Sequence, residues 1–211
     1  GAVPFEMDAW GVDIVVSGSQ KALMLPPGLA FVAVSERAWQ IIQKNHQPRF
    51  YLDLLTYKDK LEAGTIPYTT AVTLLFGLHE SLNLLMEEGL SQVYQRHQLL
   101  KTMTRQACQA LSLNLMTSES DASPTVTAVW GGETWKADRL RKELKTLGVV
   151  IAGGQQHLKG KIFRIGHMGY CDPLDVLTVI STLEIALQRL HVPVELGTGV
   201  KAAQEVWMQH V

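Results

Sequence analysis

Residues 16–31 read VSGSQKALMLPPGLAF and place Lys21 between two short apolar runs. The first run belongs to WGVDIVV, residues 10–16, and the second is LAFVAV, residues 29–34. Short apolar runs that are bounded by Gly and Pro are typical of buried strands. The pattern therefore predicts two sheet strands, with Lys21 in the turn at the mouth of the sheet.

We expect a lysine in this position to be shielded from water. Burial favours the neutral form of a lysine amine, and a neutral amine can attack a carbonyl carbon. The alternative is a surface lysine in a polar turn, which spacing alone favours.

The segment from Trp10 to Phe31 resembles the cofactor-lysine segment of class V aminotransferases, in the alanine–glyoxylate and serine–glyoxylate branch, and the resemblance continues almost to the C-terminus. It implies an α/β protein of the type I aminotransferase fold, with pyridoxal phosphate as cofactor. Lys21 matches the lysine that holds the cofactor covalently, and Gln20 matches a residue that helps to bind its phosphate. The implied substrates are a small amino acid and a 2-oxo acid, and the implied assembly is a homodimer.

Arg164 is the only charged residue in the interior of the strand-like run KIFRIG, residues 161–166, which begins with Lys161. A guanidinium binds a carboxylate through two parallel hydrogen bonds. Pattern alone favours an arginine on the solvent face of an edge strand, since Phe163 and Ile165 would point the other way. The stretch KIFRIGHMG resembles the family segment whose arginine binds the substrate carboxylate, and this implies the same role for Arg164.

Thr65 lies in the loop-like GTIP, residues 64–67. Its hydroxyl could cap the following helix. In the resembled family, a threonine here reaches the phosphate of the partner subunit's cofactor. Some relatives add a tyrosine three residues earlier, where this chain has Glu62, so the resemblance implies the Thr65 contact alone.

The glycines of GGQQHLKG, residues 153–160, could be a phosphate loop, but the spacing of a P-loop is missing. A hairpin connection is the default interpretation, and the resembled family has a mobile loop here.

Composition excludes several classes of protein. The 211 residues are 46% hydrophobic and 18% charged with a net charge of -1, so nothing indicates a nucleic-acid partner. No apolar run reaches the length of a membrane span. Cys108 and Cys171 fit reduced thiols in a cytoplasmic protein, and the histidines have no metal-ligand spacing.

The pattern along the chain predicts two parts. Residues 1–88 are expected to be part of a large, mostly parallel-sheet cofactor domain, and residues 89–211 a small C-terminal α/β domain. The expected strands include 113–116, 125–130, 149–151 and 161–165. The expected helices are 36–45, 69–88, 91–111, 136–147, 173–190 and 201–209, and residues 46–64 are expected to be irregular.

The chain lacks an initiator Met, and the resemblance implies that it is the C-terminal portion of a longer protein. The family's phosphate loop, ring-stacking aromatic residue and pyridine-binding aspartate would precede Gly1, so we expect the chain alone to be inactive and to bind the cofactor poorly. The alternative is a non-catalytic assembly subunit, since some proteins of the family carry the name of a soluble hydrogenase subunit. In that case we expect exposed apolar surface around residues 1–34.

Overall fold

The computed structural model describes residues 1–210 and contains five strands and seven helices in that range. The strands are β1 Ile14–Gly18, β2 Ala30–Val34, β3 Val126–Trp130, β4 Ala152–Gly153 and β5 Ile162–Gly166. The helices are α1 Glu36–Ile42, α2 Leu54–Glu62, α3 Val72–Glu88, α4 Leu90–Ala110, α5 Ala137–Thr146, α6 Pro173–Arg189 and α7 Thr198–Met208.

The chain divides into two compact units. The N-terminal unit is Pro4–Glu87, and the C-terminal unit is Glu88 onward together with Gly1–Val3. No described helix is both long and apolar enough to cross a membrane.

In the N-terminal unit, β1 and β2 form an antiparallel pair in which Ile14 lies opposite Val34. The expectation of a large, mostly parallel sheet concerns more strands than this pair and stays a prediction. Parallel neighbours need a crossover of a dozen residues or more, and residues 19–29 are too few to make one.

The helices of the N-terminal unit follow local capping chemistry. Ser35 caps α1 by accepting a hydrogen bond from the Ala38 N–H. Helix α2 corrects the expectation that residues 46–64 are irregular: Asp53 caps it, and none of its residues is buried. Without a buried face, α2 has no apolar period that sequence inspection could detect.

Helices α3 and α4 meet at Gly89, whose φ of 83° favours glycine. The predicted interruption at this glycine is confirmed.

The C-terminal unit is a three-stranded antiparallel sheet in the order β3-β5-β4, with helices packed on it. The helices α4, α5, α6 and α7 bury one contiguous core against it, and this core includes the fully buried side chains Leu100, Met103, Leu140, Phe163, Ile180 and Leu183.

Two strand predictions in this unit are wrong in detail. Residues 113–116 make only an isolated bridge between Leu115 and Val129, and the strand expected at 149–151 lies at Ala152–Gly153. Both segments are apolar because they pack against the core, not because they form extended ladders.

Candidate functional site

The backbone around Lys21 forms a loop that hydrogen bonds of Ser19 close. This serine is fully buried, and its hydroxyl donates to the Pro26 carbonyl at 2.7 Å and accepts from the Leu29 N–H at 3.2 Å. Its backbone N–H donates to the Leu29 carbonyl, and its carbonyl accepts from the Leu25 N–H. Every polar group of Ser19 is therefore used to hold the two ends of the segment 19–29, here called the lysine loop.

One face of α3 packs against the lysine loop. The Ser81 hydroxyl donates to the carbonyl of Leu23. A Cβ on Gly77 would lie 2.9 Å from Leu25 Cδ2, and one on Gly28 would lie 2.5 Å from Leu74 Cδ1. Positions 74, 77 and 81 lie on one side of the helix, so the loop is bound along two turns of α3.

The side chains of Gln20 and Lys21 are exposed although the loop beneath them is fixed. The expectation that Lys21 is shielded from water is not met within residues 1–210, because the strands on either side are themselves partly exposed, with Val16 at 70% and Val32 at 45%. The side-chain oxygen of Gln20 lies over Gly18, 3.0 Å from where a Cβ would be. Neither side chain is engaged in a salt bridge or hydrogen bond with another described residue.

Thr65 follows the end of α2 and does not cap a helix. Its N–H donates to the Lys60 carbonyl, and the Gly64 N–H donates to Leu61, with Gly64 at a φ of 68°. This pattern is a Schellman motif that terminates α2. Helix α3 begins only at Val72, so the exposed Thr65 hydroxyl is left free by this arrangement.

Arg164 lies in the central strand of its sheet, which rules out the edge-strand alternative. Its neighbours Phe163 and Ile165 are 0% and 4% exposed, so alternation turns Arg164 to the other face. Its Nε donates to the Gly153 carbonyl at 2.9 Å, and Ala128 and Ala152 lie opposite it on the adjacent strands. The bond at Nε orients the guanidinium, and its terminal nitrogens have no hydrogen-bond partner among residues 1–210.

The glycines before Arg164 form a hairpin connection, as the default interpretation predicts. Gly153 belongs to β4, and a Cβ on Gly154 would lie 2.0 Å from the Leu158 carbonyl oxygen. Gly154 therefore serves close backbone packing.

The loop after β5 is fixed by α4. Arg96 forms two hydrogen bonds with Glu88, at 2.6 and 2.8 Å, and also donates to the carbonyls of Gly169 and Cys171. The His97 Nδ1–H donates to the Val93 carbonyl, and its Nε2 accepts from the Gly169 N–H. The hydrogen bonds define one neutral tautomer for His97.

Burial controls the ionisation of other groups in the C-terminal unit. It lowers the pKa of His167 to about 4, and the His167 Nε2 lies 2.9 Å from the Thr127 hydroxyl. It raises the pKa of the Cys108 thiol to about 12, and it also raises the pKa of Cys171. Both cysteines are free thiols, and these pKa shifts make them poor nucleophiles.

The predicted site residues are distributed over the two units. Gln20, Lys21 and Thr65 belong to the N-terminal unit, and Arg164 belongs to the C-terminal unit. Sequence inspection did not identify Ser19 or Ser81, because a serine hydroxyl that binds a distant carbonyl leaves no periodic signal. Within residues 1–210, no group of three or more His, Cys, Asp or Glu side chains is arranged to hold a metal ion.

The available groups fit pyridoxal phosphate. The amine of Lys21, which has no partner among the described residues, can react with the cofactor aldehyde. The exposed Gln20 amide and the free Thr65 hydroxyl can donate hydrogen bonds to the cofactor phosphate. This correspondence covers only the contacts that this chain can supply.

The sequence matches the family model for class-V aminotransferases over residues 1–171. It is 45% identical over 208 residues to a protein named soluble hydrogenase, small subunit, from a Synechococcus species, covering 98% of this chain and 54% of that protein. It is 38% identical over 210 residues to the serine–glyoxylate aminotransferase of Methylorubrum extorquens, covering 96% of this chain and 52% of that enzyme.

Among solved structures, the pyridoxamine–pyruvate aminotransferase of Mesorhizobium loti superposes with a TM-score of 0.93 at 31% identity, covering all of this chain and 55% of that one. The chain therefore spans about half the length of the curated relatives it matches. It has the type I aminotransferase α/β fold of its structural neighbours. The chain belongs to the class-V aminotransferase family.

Proposed function

We propose that this chain supplies the lysine and the carboxylate-binding arginine of a pyridoxal-phosphate-dependent transaminase. One observation carries the proposal: Lys21 has a free side chain on a loop whose backbone is fixed through Ser19 and Ser81. A fixed backbone with an unpaired amine is what covalent attachment to a cofactor aldehyde requires.

The other site residues take the roles that the family resemblance implies. The Gln20 amide and the Thr65 hydroxyl bind the cofactor phosphate, with Thr65 acting towards the cofactor of the other subunit in a homodimer. Arg164 binds the substrate carboxylate through its terminal nitrogens, while Nε stays bound to the Gly153 carbonyl.

The reaction is transfer of an amino group from alanine or serine to a 2-oxo acid such as glyoxylate or pyruvate. Pyridoxal phosphate, when bound, supplies a ring that withdraws electrons from the substrate α-carbon. Once the substrate amine has replaced it at the cofactor aldehyde, the freed Lys21 Nζ would accept the proton from the substrate α-carbon and donate it to the C4′ carbon of the cofactor. The names of similar proteins support glyoxylate and pyruvate as acceptors.

The chain by itself is expected to show no turnover, because no part of it matches the family aspartate that pairs with the pyridine nitrogen. Without that carboxylate the ring is a weaker electron sink. A cytoplasmic location is part of the same proposal.

Cofactor binding tests the proposal at Lys21. The chain is mixed with pyridoxal phosphate and passed through gel filtration, and the absorbance of the retained cofactor is compared for wild type, Lys21→Ala and Lys44→Ala. Lys44 is a matched exposed lysine in the same unit. Saturable retention that is lost only with Lys21→Ala supports the role, and equal retention by all three proteins contradicts it.

Carboxylate binding tests the proposal at Arg164. We expect titration with pyruvate to shift the NMR signals of the Arg164 guanidinium in the wild type. Arg164→Gln removes this response, while Arg139→Gln, at an exposed arginine of α5, retains it. An unchanged guanidinium signal up to high pyruvate concentration would contradict the role.

A second candidate is a non-catalytic assembly subunit. It is favoured by the name of the 45% identical relative and by exposed apolar side chains near the start of the chain, including Phe5 at 52%, Trp10 at 58% and Ile14 at 47%. Large exposed apolar surface favours association. Transaminase activity in a protein that contains this chain together with the family's aspartate would exclude a purely structural role, and its absence would favour this candidate.

A further inference from the structure

We propose that Ser19 and Ser81 are positioning residues for Lys21: their hydroxyls fix the lysine loop from its two sides and so determine where the lysine amine can reach. The inference rests on the proposed role of Lys21. It adds two residues that do not themselves contact cofactor or substrate.

Ser19 closes the loop at its base. Its hydroxyl bridges the Pro26 carbonyl and the Leu29 N–H, and it is the one side chain among the described residues that links both. Ser19 is fully buried, and removing its hydroxyl takes from the Pro26 carbonyl and from the half-buried Leu29 N–H the partner that each has among the described residues.

Ser81 holds the far side of the loop. It is 5% exposed, and its hydroxyl binds the Leu23 carbonyl, two residues after Lys21. Leu25, which is 8% exposed, packs toward Gly77 on the same face of α3. Helix α3 therefore fixes the backbone on the C-terminal side of Lys21, and Ser19 fixes the two ends of the lysine loop.

Between these anchors the backbone adopts a conformation that needs support. Met24 has a φ of 62°, and its N–H donates to the Lys21 carbonyl at 2.9 Å. Non-glycine residues rarely adopt positive φ unless surrounding contacts impose it. Hydrogen bonds thus stabilise the turn that begins at Lys21 in spite of the unfavourable positive φ of Met24.

Lys21 has a fixed backbone and a free side chain. This combination suits a lysine that must bond to the cofactor aldehyde carbon and also move a proton at the substrate α-carbon. Displacement of a reacting group by about 1 Å can lower a rate about a hundredfold. Loss of either serine hydroxyl is therefore expected to change the reactivity of Lys21.

The test compares Ser19→Ala and Ser81→Ala with Ser17→Ala, at an exposed serine of β1. Hydrogen exchange reports on the backbone of residues 21–25. Trapping with pyridoxal phosphate and borohydride reports the labelling of Lys21 relative to Lys44 in the same sample. We expect exchange to accelerate about tenfold in both test variants, with a loss of Lys21 selectivity, and no change in Ser17→Ala.

The outcomes separate the two proposals. Wild-type exchange and wild-type Lys21 selectivity in both variants would overturn the positioning role. Loss of selectivity that only accompanies unfolding, with faster exchange throughout α3, would also overturn it. If the wild type shows no preference for Lys21, the proposed function fails, and hydrogen exchange alone then decides whether the serines hold the loop.

Discussion

The two units of this chain contain similar apolar strands that end in opposite environments. In the C-terminal unit, Phe163 and Val129 are completely buried in a contiguous core. In the N-terminal unit, Val16 and Val32 remain 70% and 45% exposed. The C-terminal unit is held mainly by packing, whereas the lysine loop is held by hydrogen bonds to Ser19 and Ser81.

The largest expected effect separates two phenylalanines. Phe163→Ala should lower the free energy of unfolding of the C-terminal unit by about 4 kcal/mol, because it leaves a cavity in a core that cannot fully collapse. The matched Phe76→Ala, at a side chain that is 72% exposed, should change stability by less than about 0.5 kcal/mol. Urea denaturation followed by hydrogen exchange within each unit measures both, and similar losses for the two variants would contradict the comparison.

Lowering the pH should reduce the free energy of unfolding of the C-terminal unit, because His167 is buried in its neutral form. Its pKa is about 4 when folded, below its ordinary value of 6.5, because burial disfavours the charged ring. Below pH 6.5 the unfolded chain binds a proton at His167 that the folded chain does not bind. The free energy of unfolding therefore falls by about 3 kcal/mol as the pH is lowered from 6.5 to 4, and this contribution is fully present above pH 6.5.

Replacing His167 with a side chain that does not titrate isolates this contribution. His167→Gln should reduce the stability change between pH 6.5 and 4, and His157→Gln, at an exposed histidine, should preserve it. Unfolding free energies measured across this pH range decide the matter, and an unchanged slope in His167→Gln would refute the assignment.

A smaller effect is expected at the start of α7. The buried Glu184 carboxylate accepts hydrogen bonds from the N–H groups of Gly197, Gly199 and Val200. Glu184→Gln should cost about 2 kcal/mol, since a neutral amide replaces a charge-assisted acceptor at a helix N-terminus. Glu205→Gln, at an exposed position of α7, serves as the control in thermal unfolding.

A contrast of similar size compares a buried valine of β3 with an exposed valine of β1. Val129→Ala removes buried methyl groups and should cost about 2 kcal/mol. Val16→Ala in β1 should be nearly neutral. A large loss at Val16 in equilibrium denaturation would show that another surface covers β1 in solution, and the comparison would need revision.

Much of the fold could be predicted where local chemistry and tertiary contact agree. Ser35 caps α1, Gly89 separates α3 from α4, and the alternation around Arg164 places Phe163 in the core. Helix α2 was missed because it buries no residue, so its sequence carries no apolar period. The pattern predicts a strand at 113–116 because core-facing loops and strands can share an apolar composition.

The candidate site was predictable only in part. Resemblance to the family selects Lys21, Gln20, Thr65 and Arg164. The exposure of Lys21 is not predictable in this way, because apolar runs on either side of a lysine do not specify which surface covers that lysine. Ser19 and Ser81 act through contacts with Pro26 and Leu23. Such contacts depend on the folded path of the loop, and no sequence pattern encodes them.

Reductive trapping with pyridoxal phosphate tests whether Lys21 is the cofactor lysine. The chain is incubated with pyridoxal phosphate, reduced with borohydride, digested and mapped by mass spectrometry. We expect saturable modification concentrated at Lys21, with little at other exposed lysines such as Lys44. Modification spread evenly over the surface lysines would contradict it.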